Sequence, residues 1–286
     1  MVDDGSSDSS GLMCDAAAQS DRRFRVIHQA NAGVSTAMNR GVALASGEFI
    51  VLVGSDDVLG TQHIERLVRA AQVTAADVAL SGFTRFVDSA DIVASAQGHA
   101  NDTKAVFTPD ELLRSTHPLS PISTPSPCAK LWPKEYLAAV PFPAGRVHED
   151  AMVTHKLLRR AGRVVVLDAN DYFYRVREGS ITASPRSARY LLDKALAHHV
   201  RACELVGLNA PHVVRIEQAK AFHYLLVGLD AAQRTGDASV REELHLLRLE
   251  MLQSPGRNAR LTTQVARFGL RICPGVTAMV YAKFLA

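Results

Sequence analysis

"EFIVLVGSDD", residues 48–57, is an unbroken apolar run of strand length that stops at a polar, acidic turn. A strand apolar on both faces needs cover on both, which is the condition of an inner strand in a layered sheet. Upstream, "FRVIHQ" (24–29) is a short strand candidate. "NAGVSTAMNRGVALASG" (31–47) then places Val34, Ala37, Met38, Val42 and Ala45 at helical spacing, with Gly47 as a stop. Downstream, "TQHIERLVRAAQ" (61–72) puts Ile64, Leu67, Val68 and Ala71 on one helical face, and "DVALSGF" (77–83) is the next strand. This alternation predicts an α/β layer fold with a mainly parallel sheet flanked by helices. In such folds ligands gather outside the carboxyl ends of the strands.

Between Ser115 and Pro143 prolines and serines are frequent, which predicts a long loop holding one short helix over 134–139. "HEDAMVTHKLLRRAG" (148–162) returns to helix and "RVVVLD" (163–168) to strand. From Ser184 the character changes. "RYLLDKALAHHVRACELVG" (189–207) carries Leu192, Ala195, Leu196, Val200 and Cys203 along one stripe, and the helical segments that follow break near Pro211, Gly236 and Pro255. The expected organisation is an α/β domain over 1–182 and a helical carboxy-terminal appendage over 183–286.

The chain of 286 residues, 47% hydrophobic and 21% charged, has an ordinary globular composition. Its 32 basic and 29 acidic residues are spread along it, leaving a net charge of +3 and no concentrated footprint for nucleic acid. A phosphate-bearing small molecule remains compatible. Cys14, Cys128, Cys203 and Cys273 lack CxxC spacing, so they read as reduced, mostly buried thiols. The first twelve residues are acidic and serine-rich where a secretory signal is basic and then apolar, and the expected location is cytoplasmic. The late stretch "FGLRICPGVTAMVYAKFLA" (268–286) has too short an uncharged run to span a bilayer. It allows a peripheral contact at the inner face of the membrane, with a packed terminal helix as the alternative.

Two acidic clusters end predicted strands: Asp3 and Asp4 in "VDDGSSDSS" (2–10), and Asp56 and Asp57. In a parallel sheet both open onto one edge, where their carboxylates suit a divalent cation bridging phosphates. Mg2+ or Mn2+ is commonly held by only one or two protein carboxylates. Taken singly, either cluster is equally an ordinary turn former or helix cap.

The succession "VDDGSSDSS", "HQANAGVSTAMNRGVALASGEFIVLVGSDD" (28–57) and "GRVHEDAMVTHKLL" (145–158) resembles the family 2 glycosyltransferases, enzymes of the GT-A fold. The resemblance runs from Val2 to about Thr182, where "YFYRVREGSIT" (172–182) is similar to the segment that closes the catalytic domain in many members. It implies that Asp4 contacts the nucleotide base and that Asn31, opening the N-x-G-x-S motif, lies on the nucleotide-sugar side. Asp56 is implied as the metal-binding carboxylate for Mn2+ or Mg2+, with Asp57 supporting the turn. Glu149 and Asp150 match the family's E-D pair, whose aspartate is the general base: an acceptor hydroxyl is a poor nucleophile until a carboxylate takes its proton. The same pair also suits the positive end of a helix dipole. Arg175 and Arg177 are candidates for neutralising a diphosphate, and Arg177 stands where some members place a metal-binding histidine. Trp132 either stacks on a sugar or packs under the loop.

Three departures accompany the resemblance. Gly54 replaces the first aspartate of the metal motif, and Met38 replaces an arginine for which Arg40, roughly 200° around the helix, is no substitute. The family's first strand and helix are expected before Asp3, so the resemblance implies a domain shortened at its amino end. The implied function is an inverting, metal-dependent transfer of sugar from a nucleotide-sugar donor to a glycan or lipid-linked acceptor, in cell-surface polysaccharide biosynthesis. Two alternatives stand beside it: a non-catalytic relative that binds a nucleotide or partner, and a nucleotidyltransferase.

Overall fold

The computed structural model describes residues 1–87, 103–114, 126–177 and 187–253. The chain forms two compact units, one of Met1–Leu112 with His117–Arg177 and one of Leu113–Thr116 with Glu178–Ala286.

In chain order the strands are β1 (Val2–Asp3), β2 (Ile27–His28), β3 (Phe49–Val51), β4 (Val58–Leu59), β5 (Val78–Leu80), β6 (Phe83–Phe86), β7 (Thr103–Phe107), β8 (Lys130–Pro133), β9 (Val164–Leu167) and β10 (Tyr172–Arg175). The helices are α1 (Ser10–Ser20), α2 (Val34–Leu44), α3 (His63–Thr74), α4 (Pro109–Arg114), α5 (Lys134–Ala139), α6 (Glu149–Leu158), α7 (Ala188–Leu205), α8 (Pro211–Thr235) and α9 (Ala238–Gln253).

The main sheet has the order β3-β8-β5-β9-β7. Strands β5 and β9 are parallel neighbours, whereas β8 runs antiparallel to both β3 and β5, and β7 antiparallel to β9. Three strands thus share one direction and two oppose it, a mixed sheet with helices against it. The expected α/β fold is present, and the inserted strand β8 is what the alternation did not show. Its four residues, "KLWP", sit in a stretch whose prolines and serines read as loop. Val164–Leu167 is buried throughout, as an apolar run in an inner strand requires. Helix α3 lays Leu67, Ala70 and Ala71 against Ala79, Leu131, Val165 and Leu167. Ile64, expected on that face, is half-exposed at one edge of it. Trp132 is fully buried in β8, its indole N–H donating to the Pro127 carbonyl at 2.9 Å, so it packs inside the sheet.

Two smaller sheets accompany this one. β1 and β2 pair in parallel, and β10 pairs in parallel with β6 and antiparallel with β4. Gly82 belongs to the second of these junctions: a Cβ there would collide with the Asn170 side chain.

The helical unit packs α7, α8 and α9 around Leu192, Ala195, Leu225, Leu229, Leu244 and Leu247. Pro211 opens α8 and Gly236, in the left-handed region at φ 70°, closes it. Cys203, expected on the packed stripe of α7, is exposed, because the buried face runs through Leu191, Leu192, Ala195, His199 and Ala202. Pro255 and the terminal apolar stretch lie outside the described residues. Among the described residues no helix is long and apolar enough to cross a membrane.

Within this unit Glu217 is buried and faces three basic groups: His198 Nδ1 at 2.7 Å, Lys220 Nζ at 3.5 Å and Arg201 Nε at 3.8 Å. Burial alone would raise its proton affinity, but the bond from His198 and the surrounding positive charge outweigh it and hold the carboxyl down at about 2. A depressed carboxyl stabilises the fold above its unfolded value and loses that contribution as pH falls. Unfolding free energy should therefore drop between the ordinary glutamate value of 4.5 and about 2. Glu217→Gln should cost about 1–3 kcal/mol at neutral pH, by leaving partly buried positive charge without its carboxylate, and should flatten that acid limb in denaturant titrations.

Candidate active site

The turn after β3 is closed by the Asp57 N–H donating to the Gly54 carbonyl at 3.2 Å. Asp57 is then fixed from β10. The buried Tyr172 hydroxyl donates to Asp57 Oδ2 at 2.5 Å and accepts from the Gly54 N–H at 3.1 Å, and the Arg175 N–H donates to Asp57 Oδ1 at 3.0 Å. Both carboxylate oxygens of Asp57 thus serve the scaffold. Its carboxylate also lies where a side chain on residue 54 would begin, for a Cβ on Gly54 would sit 2.5 Å from Asp57 Oδ2. The departure from the family motif at Gly54 has a local cause: Asp57 uses the space.

Asp56 points elsewhere. Its carboxylate is about one-third exposed and meets the mostly exposed guanidinium of Arg177 at 2.9 Å. Arg175 donates from Nε to the Asp56 carbonyl at 3.0 Å and lies over the Phe86 ring, so it braces the turn instead of facing a ligand.

At the amino end, Asp4 Oδ1 accepts from Gln29 Nε2 and the Ala32 N–H at 2.7 and 2.9 Å, and Oδ2 accepts from the Gly33 N–H at 2.8 Å. These bonds, the one from Gln29 first, keep the carboxyl below its ordinary value and fasten the loop that launches α2. Asn31 is exposed on that loop. Asp3 accepts from the Ser6 hydroxyl and N–H and from His28, which hold it at about 2. The structure thus puts Asp4 and Asn31 at the ends of the two-stranded β1–β2 sheet, and Asp56 with Arg177 at the turn after β3.

Asp150 is the second residue of α6, which begins after His148 in the left-handed region at φ 60°. It is half-buried beside Glu149, and its Oδ1 accepts the Ala151 N–H at 2.7 Å. Burial pushes its proton affinity up, while the Ala151 N–H and the charge of Lys130 oppose the rise. Lys130 is 1% exposed at the start of β8 and donates from Nζ to the carbonyls of Ser126 at 2.6 Å and Cys128 at 3.1 Å. Its ammonium is pushed down to about 8 by burial, with Cys128 and Asp150 opposing. The loop leading to α6 is clamped to α2: Asn39 Nδ2 donates to the Phe142 carbonyl at 2.8 Å, and the Phe142 N–H returns a bond at 2.9 Å.

Register explains how these groups meet. Leu80 pairs with Lys130 and Val51 with Leu131, so the antiparallel β8 brings its first residue to the carboxyl ends of β3 and β5. Cys128, just before β8, bonds with the Tyr172 hydroxyl. Asp57 is thus tied to Tyr172, and Lys130, through the Cys128 carbonyl, to the segment that enters β8 beside it.

Could that edge hold a divalent cation? Among the described residues no three His, Cys, Asp or Glu side chains form a ligand group, and Asp57 is committed to Tyr172 and Arg175. Of the two aspartates in the turn after β3, Asp56 is the one whose carboxylate is not committed to the scaffold. One is sufficient when phosphate oxygens and water complete the shell, so the donor set fits Mg2+ or Mn2+ arriving with a diphosphate.

Tyr172, Lys130 and Asn39 were not singled out from sequence. Asn39 lay inside the quoted helix motif and Tyr172 opened the closing segment, so both were marked by position. Lys130 had only the weak signal of one cation before "LWP".

The sequence pattern described as Glycosyl transferase family 2 matches residues 1–129. Glycosyltransferase GlyG of Streptococcus pneumoniae serotype 4 (strain ATCC BAA-334 / TIGR4) is 31% identical over 222 residues, 76% of this chain and 73% of that protein. The uncharacterized glycosyltransferase EpsJ of Bacillus subtilis (strain 168) is 30% identical over 192 residues, 65% of this chain and 54% of that protein. Among solved structures, S. aureus TarS 1-349 in complex with UDP-GlcNAc is similar at a TM-score of 0.61 and 19% identity, over 98% of this chain and 79% of that one, a likeness of fold. The similarity to GlyG spans most of both proteins and goes with the family pattern across the Asp56 turn, so the chain belongs to glycosyl transferase family 2 and is a glycosyltransferase.

Proposed function

We propose that the chain transfers a sugar from a nucleotide-sugar donor to an acceptor hydroxyl on a glycan or lipid-linked chain, with inversion at the anomeric carbon, in the making of cell-surface polysaccharide. The observation that supports this reading is Asp150, a half-buried carboxylate at the start of α6 whose proton affinity burial raises, together with Asp56, about one-third exposed at the turn after β3. The acceptor oxygen attacks the anomeric carbon from the side opposite the leaving nucleoside diphosphate, and its proton passes to Asp150. Asp56 and Arg177 lie on the leaving-group side. Their ion pair is exposed, hence worth only about 0–1 kcal/mol and readily exchanged when phosphate oxygens arrive. A divalent cation held by Asp56 would supply positive charge for the departing diphosphate. Asp4 fixes the loop on the nucleotide side, and the exposed Asn31 on that loop faces the nucleotide sugar. The donor class accords with TarS, a protein of the same fold solved with UDP-GlcNAc.

Incubating the protein with a panel of nucleotide sugars and Mn2+ or Mg2+, and assaying the leaving group, tests this directly. Nucleoside diphosphate is expected; pyrophosphate would indicate nucleotidyl transfer, and binding without turnover a non-catalytic relative.

Asp150→Asn should lower the transfer rate by about 10² to 10⁴-fold while nucleotide binding stays nearly intact, because shape is kept and the base is lost. In the unchanged protein kcat/KM should fall on acidification at a pH above the ordinary aspartate value of 3.8, since burial raises Asp150 and only its ionised form accepts the proton. Asp56→Ala should weaken the Mn2+-dependent binding of nucleoside diphosphate measured by calorimetry; an unchanged metal titration would remove Asp56 from the site. Gly54→Asp, which restores the family's first aspartate, should not raise activity. Its Cβ forces Asp57 away from Tyr172, and the melting temperature should fall with a loss of about 1–3 kcal/mol.

A further inference from the structure

Strand β4 is two residues long, and its pairing with β10 matches only Leu59 with Tyr172 and Val58 with Phe173. So short a pairing specifies its register weakly, and a slip of one residue would carry the chain along by roughly 3.4 Å. Asp56 and Asp57 come just before β4, and a metal ligand has to stand within about 0.2 Å of its place. The register of this segment therefore needs a further hold.

Asp171 stands immediately before β10, and its carbonyl accepts the Gly60 N–H at 2.8 Å. Its side chain reaches the first turn of α3, where Oδ1 lies 2.7 Å from His63 Nδ1 and Oδ2 accepts from Arg66 at 3.2 Å. A carboxylate only accepts, so the imidazole donates from Nδ1. His63 is fully buried, its ring edge-on to Tyr172 with centroids 5.9 Å apart, and its Nε2 has no hydrogen-bond partner among the described residues. A buried ring nitrogen without a partner is costly, and an aliphatic side chain would fill the slot without that cost. What the imidazole adds is the bond to Asp171. Gly60 permits the close approach, since a Cβ there would lie 3.0 Å from Asp171 Cβ and 3.2 Å from its carbonyl oxygen. At the other end of the segment, Tyr172 and Arg175 hold Asp57 and the Asp56 carbonyl. Residues 54–66 are thus fastened at both ends to the same short stretch, 171–175.

We infer that Asp171 and His63 are positioning residues for the cation-binding turn: their hydrogen bond, with the Gly60 N–H held beside it, locks β4 in register on β10 and so sets where Asp56 presents its carboxylate. The inference rests on the proposed role of Asp56, and neither positioning residue is itself a ligand.

Amide hydrogen exchange on the protein without metal or nucleotide tests the lock. In Asp171→Ala the N–H groups of Gly54, Asp57 and Gly60 should exchange about tenfold faster, the effect of one lost hydrogen bond, while Val164–Leu167 stay as protected as before. No change, faster exchange at Gly60 alone, or an equal rise at Val164–Leu167 would each overturn the inference.

A second measurement uses His63. His63→Leu fills the buried slot and cannot donate, whereas His63→Asn keeps an N–H near the place of Nδ1. Calorimetric titration of Mn2+ with UDP or GDP, whichever the unchanged protein binds, should show affinity lowered about tenfold in His63→Leu and largely restored in His63→Asn. Asp56→Ala is the control. Where it weakens Mn2+ binding, an equal loss in both His63 variants, or none in either, overturns the inference. Where it leaves Mn2+ binding intact while Asp171→Ala loosens Gly54 and Asp57, the lock stands and the metal role of Asp56 fails instead.

Discussion

The hydroxyl of Tyr172 is the junction on which the sheet edge depends. One oxygen donates to Asp57, accepts from the Gly54 N–H and touches Cys128, so it joins the turn after β3, the strand β10 and the entrance to β8. The three segments come from distant parts of the chain and belong to two different sheets. A buried tyrosine meets an ionised carboxylate here, and the low local polarity strengthens such a bond while making any member left unpartnered expensive. The phenol is pushed well above its ordinary range, by burial first, so it stays protonated and remains a donor to Asp57 at every pH the protein meets. With both oxygens of Asp57 so engaged, the ion pair with Arg177 falls to its neighbour Asp56.

The two acidic residues of one turn therefore differ in kind. Asp57 gives both oxygens to the framework, and Asp56 gives one to an exposed arginine. The same division appears at the amino end, where Asp4 ties down the loop ahead of α2 and the exposed Asn31 rides on that loop. Aspartate in these positions makes the backbone rigid first, and that rigidity is what a neighbouring polar group needs in order to hold a geometry.

Much of this was legible in the sequence, and for physical reasons. Apolar runs such as 164–167 can form only covered strands, and the 3.6-residue spacing of Leu67 and Ala71 can face only one side. The α/β layering and the helices at 34–44, 63–74 and 149–158 followed from those patterns. Strand β8 did not. Its two ends are a lysine and a proline, its middle is two residues, and its burial is imposed by β3 and β5 pairing on either side, a tertiary effect that local pattern does not carry. With β8 hidden, so was Lys130, and the mixed direction of the sheet with it. At the site, residue types and order pointed to Asp56 and Asp150. The engagement of both Asp4 oxygens within the chain was not visible, since a carboxylate that binds a ligand and one that binds backbone amides are spelled alike.

The antiparallel insertion of β8 also fixes an order of events as the chain is made. Strands β3 and β5 flank a place that only residues 130–133 fill, with Ile50 opposite Trp132 and Ala79 opposite Leu131. Until that later segment has left the ribosome, two apolar strands have a vacant neighbour and their hydrogen-bonding edges stand open. Pairings between residues so far apart in sequence close slowly, and open apolar edges invite partners from other chains. The arrival of the tryptophan-bearing strand closes the gap between β3 and β5, but β5 keeps one open side until Val164–Leu167 follows, so the shelter this part of the transferase needs during synthesis lasts until β9 is made.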